Sequence, residues 1–143
     1  MAREIERKFL VTGDAWRSGE HNEYRQGYIT TDKERTVRVR IAGDRAYLTI
    51  KGVTRGATRS EFEYGIPVDD AAELLDQLCL RPLIEKRRYI AEHDGMTWEV
   101  DEFFGDNEGL VVAEIELEEE RQSFSKPDWV GDEVTSDPRY YNA

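Results

Sequence analysis

Three carboxylate pairs and seven cations stand out in this chain, because most of them share a spacing of two residues and are sorted by sign. Glu4 and Glu6, Glu61 and Glu63, and Glu114 and Glu116 are acidic pairs, whereas Arg38 and Arg40, and Lys86 and Arg88, are basic ones. Lys8, Lys51 and Arg59 add single cations in the same kind of surroundings. In an extended strand, residues two apart point to one face. Guanidinium forks and ammonium groups gathered on one surface suit a polyanion. Paired carboxylates suit a hard divalent cation, since Mg2+ takes carboxylate and water oxygens in near-octahedral geometry. A polyanion and Mg2+ together mean polyphosphate chemistry.

The elements that must carry these groups are strands. Alternation with period two runs through residues 3–11, 35–42, 46–51, 59–66, 83–91, 97–103 and 110–118, with a weaker candidate at 24–29. Residues 42–45, 92–95 and 105–109 are short Gly- and Asp-containing connections, so neighbouring strands should be mostly antiparallel. One helix is expected after Pro67, capped by Asp69 or Asp70, with Ala71, Leu74, Leu75 and Leu78 on one face and an end before Pro82. A short helical turn is expected around residues 125–129. About eight strands with few helices predict a mainly β (α+β) chain built as an antiparallel barrel or sandwich.

Alternation alone does not say which face is inside. Charged faces of this kind are ordinarily solvated, with the apolar face as the core. The segregation into Arg-x-Arg, Lys-x-Arg and Glu-x-Glu blocks argues otherwise, because like charges at neighbouring same-face positions gain nothing in water. If the charged faces line a closed barrel of about eight strands, the lumen holds one small ligand. Buried charges cost several kcal/mol each when unpaired, so such a lumen needs counter-charges, ions and water.

The 143 residues are one domain's worth of chain, 38% hydrophobic and 36% charged, and no linker-like stretch or long repeat divides them. A single domain over 1–143 follows. A net charge of −11 excludes broad nucleic-acid binding, so any basic site is local. No run is long and apolar enough for a membrane span, and the charged opening MAREIERKFLV is unlike a signal peptide, so the expectation is a cytoplasmic chain with no membrane partner. Cys79, the one cysteine, reads as a small buried hydrophobe; His21 and His93 read as exposed loop residues; and Trp16, Trp98 and Trp129 should pack outside the barrel under helices.

Glu4-Ile5-Glu6-Arg7-Lys8-Phe9 resembles the Glu-x-Glu-x-Lys signature of the CYTH superfamily, the triphosphate tunnel metalloenzymes. The likeness continues in order through Gln26-Gly27-Tyr28, Arg38-Val39-Arg40, Lys51-Gly52, Arg59–Tyr64, Glu85–Tyr89, Trp98–Phe103 and Ala113–Leu117. Glu-x-Glu-x-Lys alone is weak in so charged a chain, but the ordered set spans essentially all of it. The tail Trp129 to Thr135, continuing through residues 137–142, looks most like that of short bacterial inorganic triphosphatases.

This resemblance implies a closed, eight-stranded antiparallel β-barrel with a few peripheral helices. It implies hydrolysis of a small-molecule polyanion, triphosphate, with Mg2+ or Mn2+ as cofactor. Glu6 and Glu116 would hold the metal, and Glu4, Glu114 and one of Glu61 or Glu63 would hold a second ion or orient the attacking water. Lys8, Arg38, Arg40, Lys51, Arg59, Lys86 and Arg88 would cradle the phosphates. Tyr28 resembles a position at which some relatives pair a tyrosine with a lysine, here Lys86, to assist the leaving group; plain packing is the alternative. A homodimer is compatible with this reading. Competing functions are a nucleoside or thiamine triphosphatase, a class IV adenylate cyclase, and a non-catalytic polyphosphate-binding module, the last disfavoured by the full set of acidic pairs.

Overall fold

The computed structural model describes residues 3–140. Among these, nine antiparallel strands and one α-helix follow the chain as β1 Arg3–Val11, β2 His21–Thr30, β3 Arg35–Ala42, β4 Arg45–Gly52, β5 Thr58–Ile66, α1 Val68–Gln77, β6 Ile84–His93, β7 Met96–Phe104, β8 Val111–Glu116 and β9 Val130–Glu133. The spatial order is β5-β4-β3-β2-β6-β7-β8-β1-β9, and β5 also pairs with β1, which closes eight strands into a barrel. The seam is short, joining Arg3, Glu4 and Ile5 to Ser60, Arg59 and Thr58. Strand β9 lies outside the ring, against the far end of β1.

Turn chemistry sets the register. Asp94 and Gly95 both take positive φ (49° and 77°), the conformation that matches strand twist in a tight hairpin and aligns β6 with β7. Gly27 answers a different need, because a Cβ there would sit 2.9 Å from the Cys79 Cβ and 2.7 Å from the Leu83 Cδ2. The segment after α1 therefore lies directly on β2, with Cys79 buried as expected.

The apolar core is wrapped around the barrel instead of filling it. One cluster joins Phe9, Trp16, Tyr89, Trp98, Val100 and Ile115 on the outer face, where Trp98 meets Phe9, Phe124 and Trp129 edge-on with ring centroids 5.6, 5.8 and 5.8 Å away. The second lies under α1 and joins Ala71 and Leu75 to Val39 and Ala46. The tryptophans are thus outside the barrel as predicted, but it is extended C-terminal chain, through Phe124 and Trp129, that covers Trp98, with no helix over residues 125–129. Pro67 takes the N-cap position of α1, and neither Asp69 nor Asp70 caps it; both lie in the first turn, where the helix dipole favours acids. Leu78 ends the helix and is 62% exposed, so it leaves the predicted apolar face. β9 was not foreseen: four residues are too few to show a period.

Candidate functional site

Barrel closure turns the charged faces inward. Lys8, Arg38, Arg40, Lys51, Lys86, Arg88, Glu4, Asp101 and Glu114 are all buried, although each lies on a strand whose alternate residues pack in the outer core. The lumen contains a cavity of about 270 Å³, lined by most of the predicted site residues: Glu4, Glu6, Lys8, Arg38, Arg40, Lys51, Glu61, Glu63, Arg88, Glu114 and Glu116. Tyr24, Tyr47 and Glu99 complete much of the remaining wall.

The carboxylates gather on β1, β5, β7 and β8 because register puts them side by side. Glu6 faces Glu116 and Glu99 faces Glu114 across adjacent strands. Such pairs repel in water. Burial raises the Glu114 carboxyl above its usual range, and the Glu6 charge adds to the effect; burial with Glu4 and Glu99 nearby does the same to Glu116. Glu4 is likewise raised, by burial and by sharing a hydrogen bond with Glu61, against the pull of Lys51. Lys51 Nζ sits 3.1 Å from Glu4 and 3.3 Å from Glu61, and Lys8 Nζ 3.5 Å from Glu6. Among the described residues no three carboxylates or imidazoles converge into a ready-made metal cage. The all-oxygen set nonetheless fits an ion of the Mg2+ type, which binds through one or two carboxylates and completes its shell with waters and substrate phosphates. Carboxylates crowded in this way are relieved by any positive charge placed among them.

Apart from Lys8 on β1, the cations that line the cavity lie on β3, β4 and β6, and the arginines among them are held from behind. Gln26 Oε1 accepts from Arg40 Nε at 2.7 Å, and Thr49 Oγ1 accepts from Arg38 at 3.3 Å while donating to Glu63 at 3.0 Å. Asp101 accepts two hydrogen bonds from Arg88, at 2.7 and 2.8 Å, and one from Lys86 at 2.7 Å. Tyr24 lies between guanidinium groups, its ring centroid 4.8 Å from Arg40 and 4.9 Å from Arg88. Arg40 has no carboxylate within 4.0 Å among the described residues. Burial, then the charges of Arg38 and Arg88, push its guanidinium down to about 10. Arg38 Nε is buried with no hydrogen-bond partner among the described residues.

The structure does not bring every predicted residue to the cavity. Lys86 is fully buried, 2.7 Å from Asp101, and lies outside the lining of the main cavity. Arg59 reaches Glu4 at 3.5 Å and borders a smaller cleft at the mouth, beside Thr54 and Thr135. Tyr28 is buried beyond the main lining and borders a separate cavity. Lys8 also donates to the Tyr140 carbonyl at 3.2 Å, which brings the C-terminal segment onto that end of the barrel. The tail likeness extends over Tyr141 and Asn142, which lie outside the described residues. Arg7 and Arg87 point outward to Glu133 and Glu23. His21 and His93 head no metal cluster among the described residues, although they sit at strand ends, with His93 bonded to Ser125.

Sequence reading assigned no role to Asp101, Gln26, Thr49, Tyr24 or Glu99. Inward parity was available for Thr49, which shares a face with Lys51, and for Glu99 and Asp101, which together form the charged face of β7; a partner behind an arginine has no sequence mark.

The CYTH domain model matches residues 2–141. The chain belongs to the CYTH family. An inorganic triphosphatase of Acetivibrio thermocellus is 57% identical over all of this chain and 92% of its own length. Another, of Nitrosomonas europaea, is 38% identical over 97% of this chain and 93% of its own. A solved structure of an inorganic triphosphatase superposes with a TM-score of 0.69 at 35% identity, covering 96% of this chain and 93% of that one. A Pyrococcus horikoshii protein at 21% identity and TM-score 0.63, covering 87% and 80%, shares the fold of this CYTH barrel. No helix among the described residues is long and apolar enough to cross a membrane.

Proposed function

We infer that this CYTH protein hydrolyses inorganic triphosphate to diphosphate and phosphate inside the barrel, with a divalent metal ion, Mg2+ or Mn2+. The observation that carries this is Arg40: a buried guanidinium lining a cavity of about 270 Å³, without a carboxylate within 4.0 Å among the described residues, opposite a row of crowded carboxylates. A cation left uncompensated at that depth is costly unless an anion joins it. Two relatives named inorganic triphosphatases, one of them matched over this chain's full length, support the substrate.

The mechanism needs positioning and charge neutralisation more than covalent chemistry. Arg38, Arg40 and Arg88 present planar donors to phosphate oxygens, and Lys8 and Lys51 extend the cradle towards the acidic wall. Glu6 and Glu116 would hold the divalent ion, which when bound neutralises phosphate oxygens that the cations leave uncovered. Glu4, Glu114 and one of Glu61 or Glu63 would hold a second ion or accept a hydrogen bond from the water that attacks phosphorus. The bond broken is the bridging P–O bond, and the departing diphosphate takes its negative charge to the nearest ammonium. Lys8 and Lys51, the two ammonium groups that line the lumen, would take that role.

The test is phosphate release from inorganic triphosphate, ATP and thiamine triphosphate under the same conditions, with Mg2+, with Mn2+ and with neither. The expected result is metal-dependent release with the highest kcat/KM for inorganic triphosphate, because a bare triphosphate can place all its oxygens among the cations while a nucleoside stays at the mouth. Cyclic AMP among the products, or a higher kcat/KM for ATP, would replace this reading with another CYTH activity.

A further inference from the structure

Asp101 is an acid that the reaction does not obviously use. It lies at the centre of β7 with no exposure, among the cations of a cavity meant for anions. A carboxylate in that place competes with substrate for the same donors, so its presence calls for a reason. It is not free to serve as a metal ligand: its two oxygens accept three hydrogen bonds, from Arg88 Nε and Nη2 and from Lys86 Nζ.

The pattern of those bonds is specific. An arginine has five N–H donors in a rigid fork. Asp101 takes two of them, side-on, and Glu99 takes one from Nη1 at 3.2 Å, which leaves one N–H on each terminal nitrogen for the lumen. The Arg88 guanidinium also lies over the Tyr24 ring. Its position is therefore fixed on the side and over the face while its tip lines the cavity. Lys86 makes the arrangement more tolerable: its Nζ, 2.7 Å from Asp101, adds a third donor to the two that Arg88 supplies at that depth. Burial by itself would raise the Asp101 carboxyl; Arg88 and Lys86 outweigh it and hold the group ionised, well below the usual carboxylate range.

We propose that Asp101 is a positioning residue for triphosphate hydrolysis, which aims Arg88 at the substrate from behind while Lys86 serves as its buried counter-charge. The inference deepens the triphosphatase reading and rests on it. Removing the aim, as distinct from the arginine, lets Arg88 still attract a polyanion while failing to meet it in the geometry of the transition state. Displacements of about 1 Å cost up to about 100-fold in rate.

The experiment compares wild type, Asp101→Asn, Arg88→Met and the double variant, with kcat and KM for inorganic triphosphate measured under saturating metal and thermal melting recorded alongside. The expected result is a fall in kcat of about 10- to 100-fold for Asp101→Asn with KM changed by less than about 3-fold, and no added loss when Asp101→Asn is placed on Arg88→Met. An equal loss from Asp101→Asn in both backgrounds means that Asp101 acts on substrate or metal directly, and overturns the proposal. A lowered melting temperature with unchanged kcat and KM means a purely structural ion pair, and overturns it too. Should Asp101→Asn not fold, Lys86→Met/Asp101→Asn keeps the buried charge balanced and enters the same cycle; failure of both to fold assigns Asp101 to folding and ends the proposal. A wild type that releases no phosphate overturns the triphosphatase reading and this inference with it, whereas an active wild type beside an equally active Asp101→Asn overturns the inference alone.

Discussion

The two walls of the lumen differ in how their charges are supported. On the basic wall each arginine is tied from behind, Arg38 by Thr49, Arg40 by Gln26 and Arg88 by Asp101, and all three are buried. On the acidic wall the carboxylates face one another, Glu6 across from Glu116 and Glu99 across from Glu114, and two of them, Glu63 and Glu116, are exposed. The difference teaches which half of the site is finished by folding. Guanidinium groups held by neutral or paired acceptors are pre-organised for phosphate at no further cost in ordering. Crowded carboxylates are a half-site, complete only when a cation relieves their repulsion.

The largest break in this asymmetry comes from withdrawing the metal. Excess chelator should reduce triphosphate hydrolysis by more than about 100-fold, with recovery on adding Mg2+ or Mn2+, as followed by phosphate release. Activity that persists in chelator would mean that the basic wall suffices. Next in size, Glu6→Gln or Glu116→Gln should remove most turnover, since each keeps the shape of a ligand and deletes its charge. The same variants should melt no lower than wild type, and Glu116→Gln somewhat higher, because mutual repulsion is relieved. Melting curves with and without metal check both parts.

Arg40→Ala tests the basic wall. It should lower kcat/KM by about 10- to 150-fold, the worth of a charge-assisted hydrogen bond of about 1.5–3 kcal/mol. Arg87→Ala, one residue from two inward cations but pointing to Glu23 in solvent, should change kcat/KM by less than about 2-fold. Equal losses would mean that the strand parity of the barrel is misread. The smallest expected effect belongs to Thr49→Val, which removes the one hydroxyl that bridges the walls between Arg38 and Glu63 while keeping its volume. A loss of about 1 kcal/mol, or about 5-fold in kcat/KM, is expected, seen more in KM if Arg38 loosens than if Glu63 does.

Much of the fold was legible because its signals are local. Seven of the eight barrel strands announce themselves by alternation, and the turn at Asp94-Gly95 carries its own chemistry. β2 was faint, since Gln26, Gly27 and Tyr28 do not alternate in polarity; the glycine is there for the close approach of Cys79, a tertiary demand. The helix was legible and its cap was not, since Pro67 pre-empts the position that Asp69 or Asp70 would have taken. Lys86 shows the limit most clearly. Its type, spacing and parity match those of a phosphate ligand, and only the fold shows its 2.7 Å contact with Asp101, fifteen residues away on the next strand.

The sequence by itself determined which residues share a face, because side-chain direction in a strand alternates with the backbone and needs no other part of the chain. It also determined the chemical kinds of donor available: forks for phosphate, and oxygens for a hard cation. Tertiary structure decided that the charged faces turn inward, through three seam pairs that join β1 to β5 from opposite sides of the sheet. It decided, too, which charges remain available. Availability depends on what stands within about 4 Å at low dielectric, and that is settled by register between strands far apart in the chain: Asp101 behind Arg88, Gln26 behind Arg40, and no carboxylate in front of Arg40 among the described residues.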